Sequence, residues 1–376
     1  TRRSSDLIEV HRNLDSDNES EIEGFNNKLV NHLKKVSQDS GVFNLHMPKK
    51  YGGGGMGTLG AVVINEEIYR SLIHLPLSQC ANILIKYATT KQEQQYTIPT
   101  INGQKSASLY EALPPPDFNL SDTTKLTAIK DGNNWIINGM IPYIVNINNA
   151  DYIIIEAITD KTKNREHGLT LFILDIDTPG ININPIETWL TTPHNSHHIM
   201  SLNNVQIPIW KTLGKEGNGF YLSQHLVSEH GNLMSGALSL GMMERGLKIA
   251  TEWSRNRVTF GKPIAERQAI QWMLVDIFVS IKALRSVTHS TAWKSDQGCN
   301  ISVESSMIKY CAAEWGWAAI DKIMQIFGGF GERTDTLIPH WYHQLRHSRI
   351  SGGTSEMHKA IIAKSLLSRT LSWEGN

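Results

Sequence analysis

With 376 residues, 40% of them hydrophobic, the chain is long enough for two or three domains packed together and has the apolar content of an ordinary globular protein. Lys plus Arg equals Asp plus Glu at 36 each, so no long-range field draws it to nucleic acid or to an anionic membrane. Three cysteines, Cys80, Cys299 and Cys311, have no CxxC spacing and read as small buried residues of a reduced cytosol, which predicts a cytoplasmic protein without disulfide or metal site. No apolar run approaches the roughly 20 residues of a membrane span, and TRRSSDLIEVHRN lacks the apolar centre of a signal peptide.

From about Ser20 to Tyr96 the pattern is helical: Ile22, Phe25, Leu29, Leu33 and Val36 recur at three- and four-residue steps. The glycines of KKYGGGGMG, Lys49 to Gly57, interrupt it; no Lys-Ser/Thr follows them, so a flexible turn between helices is expected rather than a phosphate cradle. Between about Ser106 and Val205 the period changes to two, and segments such as DYIIIEAIT and GLTLFILDI are β-branched and aromatic with turn residues between them. Short strands without intervening helices imply an antiparallel sheet or small barrel. Beyond about Gly217, long helices are expected over Tyr221 to Arg255, Ile264 to Trp293, Val303 to Ile326 and Ser355 to Leu371, which implies a bundle. The expected fold class is thus mainly α with a β-domain (α+β): residues 1–105 an N-terminal helical domain, 106–212 a middle β-domain, 213–376 a C-terminal four-helix bundle.

Three motifs stand in the last region: RNRVTFGKPIAERQAIQ from Arg255, QIFGGFGE from Gln325, and GGTSE from Gly352. In this order, with the helix–β–helix organisation, they resemble the acyl-CoA dehydrogenase family, whose members carry R-x-x-F-G-x-x-x-x-x-x-Q, Q-x-x-G-G-x-G and a terminal [EG]-G-T-[SN]-[EQ]. KYGGGG, WIINGMIPYIVNINNADY and SLNNVQIPIWKTLGKEGNGF match further family segments, so the resemblance covers nearly the whole chain. It implies a homodimeric or homotetrameric FAD flavoprotein that oxidises an acyl thioester, carried by CoA or an acyl-carrier protein, with an electron-transfer flavoprotein as possible acceptor.

By that resemblance Arg257, Thr259, Phe260 and Gln268 reach the adenosine and pyrophosphate half of an FAD held mainly by a neighbouring subunit, and Gln325, Gly328 and Gly329 serve it across the same interface. A guanidinium fork and open glycine backbone suit a pyrophosphate. Thr354 and Glu356, at the start of the last helix, place a hydroxyl, backbone donors and a helix dipole where a phosphate can meet them. Each also has a plainer reading: Arg257 a cation at a helix end, Gln325 a surface amide, Thr354 an N-cap.

The family's reaction needs a base for the α-proton and a donor for the thioester carbonyl, which the family supplies from one residue, the Glu of E-G-T-S and its backbone N–H. Here that residue is Gly352, which keeps the N–H and lacks the base. One branch of the family carries the Glu on an earlier helix instead. Counting back about 30 residues from Gly261 lands on Gly231, and counting forward from Gly219 lands on His230, so an insertion or helix irregularity is expected there. Glu229 and His230 are the candidate bases. Other departures cluster at the flavin ring and acyl pocket: Tyr110 stands for a flavin-touching Thr, Pro116 for a Ser, and Tyr143 and Val145 replace the shielding Trp and the Thr of W-I-T. Two further outcomes stay open, a monooxygenase or oxidase of the same fold and a catalytically dead subunit of a heteromer.

Overall fold

In a computed structural model the chain is described over residues 19–71, 75–78, 82–109, 126–145, 147–186, 197–226 and 231–368. Helices α1 (Glu19–Asp39), α2 (Gly57–Ile68) and α3 (Asn82–Tyr87) come first, followed by short helical turns to Ile101. The glycine run joining α1 to α2 is not the flexible turn that its composition suggests. Gly53 and Gly54 lie flat on residues 44–47, where a Cβ would stand 2.2 Å from the Met47 carbonyl oxygen or 2.5 Å from Leu45. Backbone bonds Gly54 N to Asn44 O and Gly55 N to Met47 O close the contact, so these glycines serve close packing.

Eight strands among the described residues form one sheet: β1 (Ala107–Leu109), β2 (Thr127–Asp131), β3 (Asn134–Val145), β4 (Tyr152–Ile158), β5 (Leu169–Asp175), β6 (Ile181–Pro185), β7 (His197–Pro208) and β8 (Thr212–Leu213). The order is β6-β7-β3-β2-β4-β5-β8, with β1 beside β4. Pairing is antiparallel except that β1 and β2 both meet β4 in parallel, so the sheet is mixed rather than purely antiparallel. Alternation assigns each residue a face; it does not set the direction of the neighbouring strand, which is why sequence pattern misses this. Strand β4 is buried along its whole length and β5 along nearly all of it. One face carries Ile153, Ile155, Phe172 and Leu174 into a core with Trp135. The other carries Tyr152, Ile154, Leu171 and Ile173 against Met47, Tyr96 and Leu222. Burial on both faces explains why these strands read as continuous apolar runs.

After α4 (Gly219–Leu226) come α5 (Leu233–Asn256), α6 (Gln268–Asp296), α7 (Ser302–Phe327), α8 (Leu337–Ser348) and α9 (Ser355–Leu367). Their core holds Leu240, Met243, Ile281, Leu284, Ile308, Ile320, Ile323 and Trp341. The sequence pattern did not separate α8 from its surroundings. Its inward residues Ile338, Trp341 and Leu345 recur at three- and four-residue steps, the helical period, among histidines and arginines. Helix α2 is bound to this bundle by polar groups. Asp296 at the end of α6 accepts from Thr58 N (2.7 Å) and Leu59 N (3.0 Å), at the start of α2. Glu66 takes both Arg285 and His289, and Glu244 takes Arg285 and Arg70.

Candidate functional site

Two of the three motifs meet on one surface. Helix α5 ends at Asn256, with Arg257 as its C-cap residue, and the chain turns back through a two-residue hairpin between β9 (Val258–Thr259) and β10 (Lys262–Pro263). Phe260 and Gly261, at the tip, have φ of 50° and 79°; both positive values match a tight hairpin turn that a Phe adopts only with strain. The Phe260 ring is 97% exposed. From beneath, Arg267 donates to the Thr259 carbonyl (2.8 Å) and lies within 3.2 Å of its hydroxyl, while its guanidinium faces the Phe260 ring.

One turn before Arg257 stands Trp253. The rings of Phe327 and Phe330 both stack on its indole, with centroids 4.9 and 5.1 Å away. Those phenylalanines flank Gly328 and Gly329, so QIFGGFG is pinned beside RVTFG by aromatic packing. Gly261, Gly328 and Gly329 all face open space where a Cβ would point. Arg257 is exposed, and its guanidinium makes no ion pair or hydrogen bond among the described residues, while its backbone N–H donates to Trp253 O at 2.8 Å; Gln268 and Gln325 are exposed as well. A free guanidinium beside open glycine backbone fits a pyrophosphate.

The third motif forms a tighter structure. Gly352 and Gly353 have φ of 64° and 90°, and Thr354 caps α9 by accepting from Met357 N at 3.2 Å, in keeping with its plainer reading. Glu356, beside it, is held below the usual carboxylate range by its own backbone N–H and by the Thr354 hydroxyl, so a phosphate at this helix end would have to displace it. Glu314 of α7 accepts from Ser355 Oγ (2.6 Å) and Arg349 Nε (2.8 Å). Burial opposes its charge, but these two donors keep the Glu314 carboxyl below its ordinary range. The N–H of Gly352 has no acceptor among the described residues.

Two buried bases flank that N–H. Lys309 of α7 donates to the Ser348 carbonyl at 2.6 Å, and His358 lies with Nε2 3.2 Å from the Gly352 carbonyl oxygen. Burial pushes the Lys309 pKa down to about 8. Burial also drives His358 down to about 4, against the pull of the Gly352 carbonyl and with help from the nearby Lys309 charge, so the imidazole is neutral and donates from Nε2. Sequence reasoning passed over Trp253, Arg267, Lys309 and His358. A signal existed for Lys309, which shares its helix face with Ser305, Ile308 and Ala312, a position that otherwise takes an apolar or small residue.

The candidate bases Glu229 and His230, and Tyr110 and Pro116, lie outside the described residues. Residues 231–232 form a wide π-type turn before α5, the irregularity expected in that stretch. Within it Asn232 is buried, its amide 3.4 Å from Ser305 Oγ and its Oδ1 without a partner among the described residues. Tyr143 on β3 is 56% exposed, and Val145 pairs with His197 at the end of the same strand. Among the described residues no group of acids, cysteines and histidines could hold a metal, and no helix is long and apolar enough to cross a membrane.

Comparison with known proteins gives two family matches, the acyl-CoA dehydrogenase N-terminal domain over residues 10–104 and the acyl-CoA dehydrogenase C-terminal domain over residues 217–367. The chain is 30% identical to a 3-(aryl)acrylate reductase of Clostridium sporogenes over 341 residues, covering 89% of each chain. It is 27% identical to a short-chain-specific acyl-CoA dehydrogenase of Clostridium acetobutylicum, again over 89% of each. A solved structure of an electron transferring flavoprotein of Acidaminococcus fermentans superposes with a TM-score of 0.82 at 27% identity over 89% of each chain.

Proposed function

The chain belongs to the acyl-CoA dehydrogenase family, and we propose that it holds FAD on the surface around Arg257 and oxidises an acyl thioester between Cα and Cβ. The observation that carries the cofactor assignment is the free Arg257 guanidinium beside the open backbone of Gly328 and Gly329, all held in place by Trp253. When bound, FAD supplies the hydride acceptor for the β-hydrogen. Arg257 would pair with the pyrophosphate, Gln268 and Gln325 would offer amide donors, and Phe260, Thr259 and Gly261 would line the adenosine end. Thr354 and Glu356 would meet the same cofactor at the start of α9, and Tyr143, Val145 and Tyr110 would lie at its ring.

At the other end the Gly352 N–H would receive the thioester carbonyl oxygen, stabilising the enolate that forms as the α-proton leaves. Glu229 is the proposed base and His230 the runner-up. The thioester would be carried by CoA or an acyl-carrier protein, with an electron-transfer flavoprotein as electron acceptor. Oligomerisation fits a second feature: Trp272, Val275, Phe278 and Val279 form an exposed apolar stripe on α6, and Phe260 is exposed as well. A second copy of the chain covering both would bring Arg257 and Phe260 to its neighbour's cofactor.

One observation favours a second reading, a subunit that helps to hold cofactor without chemistry of its own. Gly231, one of the two positions that the counts reach (the other being His230), and Gly352, the motif position, are both glycine. A Cβ on the first would meet nothing within 4 Å, and on the second only Lys309 Cε, at 3.6 Å. The visible spectrum separates the readings. Purified protein should be yellow and should bleach without oxygen on mixing with some member of a panel of acyl-CoAs or acyl-carrier thioesters. A colourless protein would sink the cofactor assignment, and a yellow one that no thioester bleaches would sink the dehydrogenation.

A further inference from the structure

The loop bearing Gly352 is held from beneath by side chains that have no place in the chemistry above. Lys309 is 3% exposed, and its ammonium donates to Ser348 O, the last carbonyl of α8, where it also meets the negative end of that helix. His358 is 2% exposed and donates from Nε2 to Gly352 O. The two bonds sit on either side of residues 349–351. Glu314 adds a third tie between Arg349 and Ser355. Packing against His358 is close: a Cβ on Gly353 would come within 2.8 Å of its Nε2, so a glycine is required there. The result is a main chain fixed before and after one amide, the N–H of Gly352, which itself has no acceptor among the described residues.

We infer that Lys309 and His358 are positioning residues that lock the main chain on both sides of Gly352, so that its N–H is preset for the thioester carbonyl. This rests on the proposed thioester contact of Gly352. The physical reason is that an oxyanion donor acts by being in place beforehand; a glycine at positive φ followed by a second one has the freedom to swing unless its carbonyls are tied. A neutral imidazole suits the task, since it offers one N–H to one carbonyl and brings no second charge next to Lys309.

The test uses the full chain and three variants, His358→Phe, His358→Gln and Lys309→Met. Amide hydrogen exchange over residues 349–354 reads the clamp without any ligand. His358→Phe and Lys309→Met should each exchange about tenfold faster there, and His358→Gln, which keeps an N–H donor, should stay within about threefold of wild type. Unchanged exchange in both the Phe and Met variants, at unchanged melting temperature elsewhere, would overturn the inference. Isotope-edited infrared spectra of a bound acyl-CoA labelled at the carbonyl carbon read the consequence. The downshift of the thioester stretch seen with wild type should shrink in His358→Phe and return in His358→Gln. An equal downshift in all three would overturn the positioning role. A wild-type protein with no downshift would remove Gly352 from thioester binding, and with it the preset-donor role, while the exchange data would still decide the clamp.

Discussion

The surface around Arg257 and the loop around Gly352 keep different things. At the first, the side chains of the family pattern are intact, with Phe260 strained and exposed at a hairpin tip and the Arg257 guanidinium without a partner among the described residues. At the second, the side chain that carries the family's chemistry is gone, while the main chain is tied down by buried Lys309 and His358. Under the proposed roles, anchoring a cofactor depends on side-chain identity, whereas an oxyanion donor depends on backbone placement, which survives loss of the side chain it came with.

The contrast can be broken or sharpened by substitution. The largest effect is expected at Trp253, which joins RVTFG to QIFGGFG: Trp253→Ala should cost about 3–5 kcal/mol of stability, checked by chemical denaturation, and should lower flavin retention with it. Next comes acid. The folded His358 pKa, about 4, lies below its ordinary 6.5, so between those values the unfolded chain binds a proton that the folded one refuses. Stability should therefore fall as pH drops from about 6.5 to about 4, by about 3 kcal/mol in all, and His358→Gln should flatten that part of the pH–stability curve. Arg257→Ala should leave the fold intact and weaken FAD binding by about 30-fold, the loss of a charge-assisted pair, read as flavin released on dilution. The smallest effect is at the hairpin tip: Phe260→Gly should change subunit stability by less than about 0.5 kcal/mol, because the ring is exposed and glycine relieves the positive φ, yet weaken self-association in sedimentation.

Much of this was legible beforehand. The switch from period 3.6 to period 2 and back placed the helices and strands, and RVTFG, QIFGGFG and GGTSE pointed to the family. The stretch before α5 was legible as irregular, and a wide turn is present at residues 231–232. What escaped had a physical cause in each instance. The parallel partner of β4 escaped because alternation has no direction. The tight seat of Gly53 and Gly54 escaped because a glycine that packs and a glycine that bends look alike in sequence.

What the amino-acid order determined by itself is local: the periodicities, the caps such as Thr354, the turn glycines, and the motifs that name a family. Only the tertiary structure decided which distant residues stand together. It set Trp253 under Phe327 and Phe330, and it brought Lys309 and His358 from two helices to either side of the Gly352 N–H. Such pairings come from packing across the bundle, where a residue's neighbours are chosen by shape and burial and not by position along the chain.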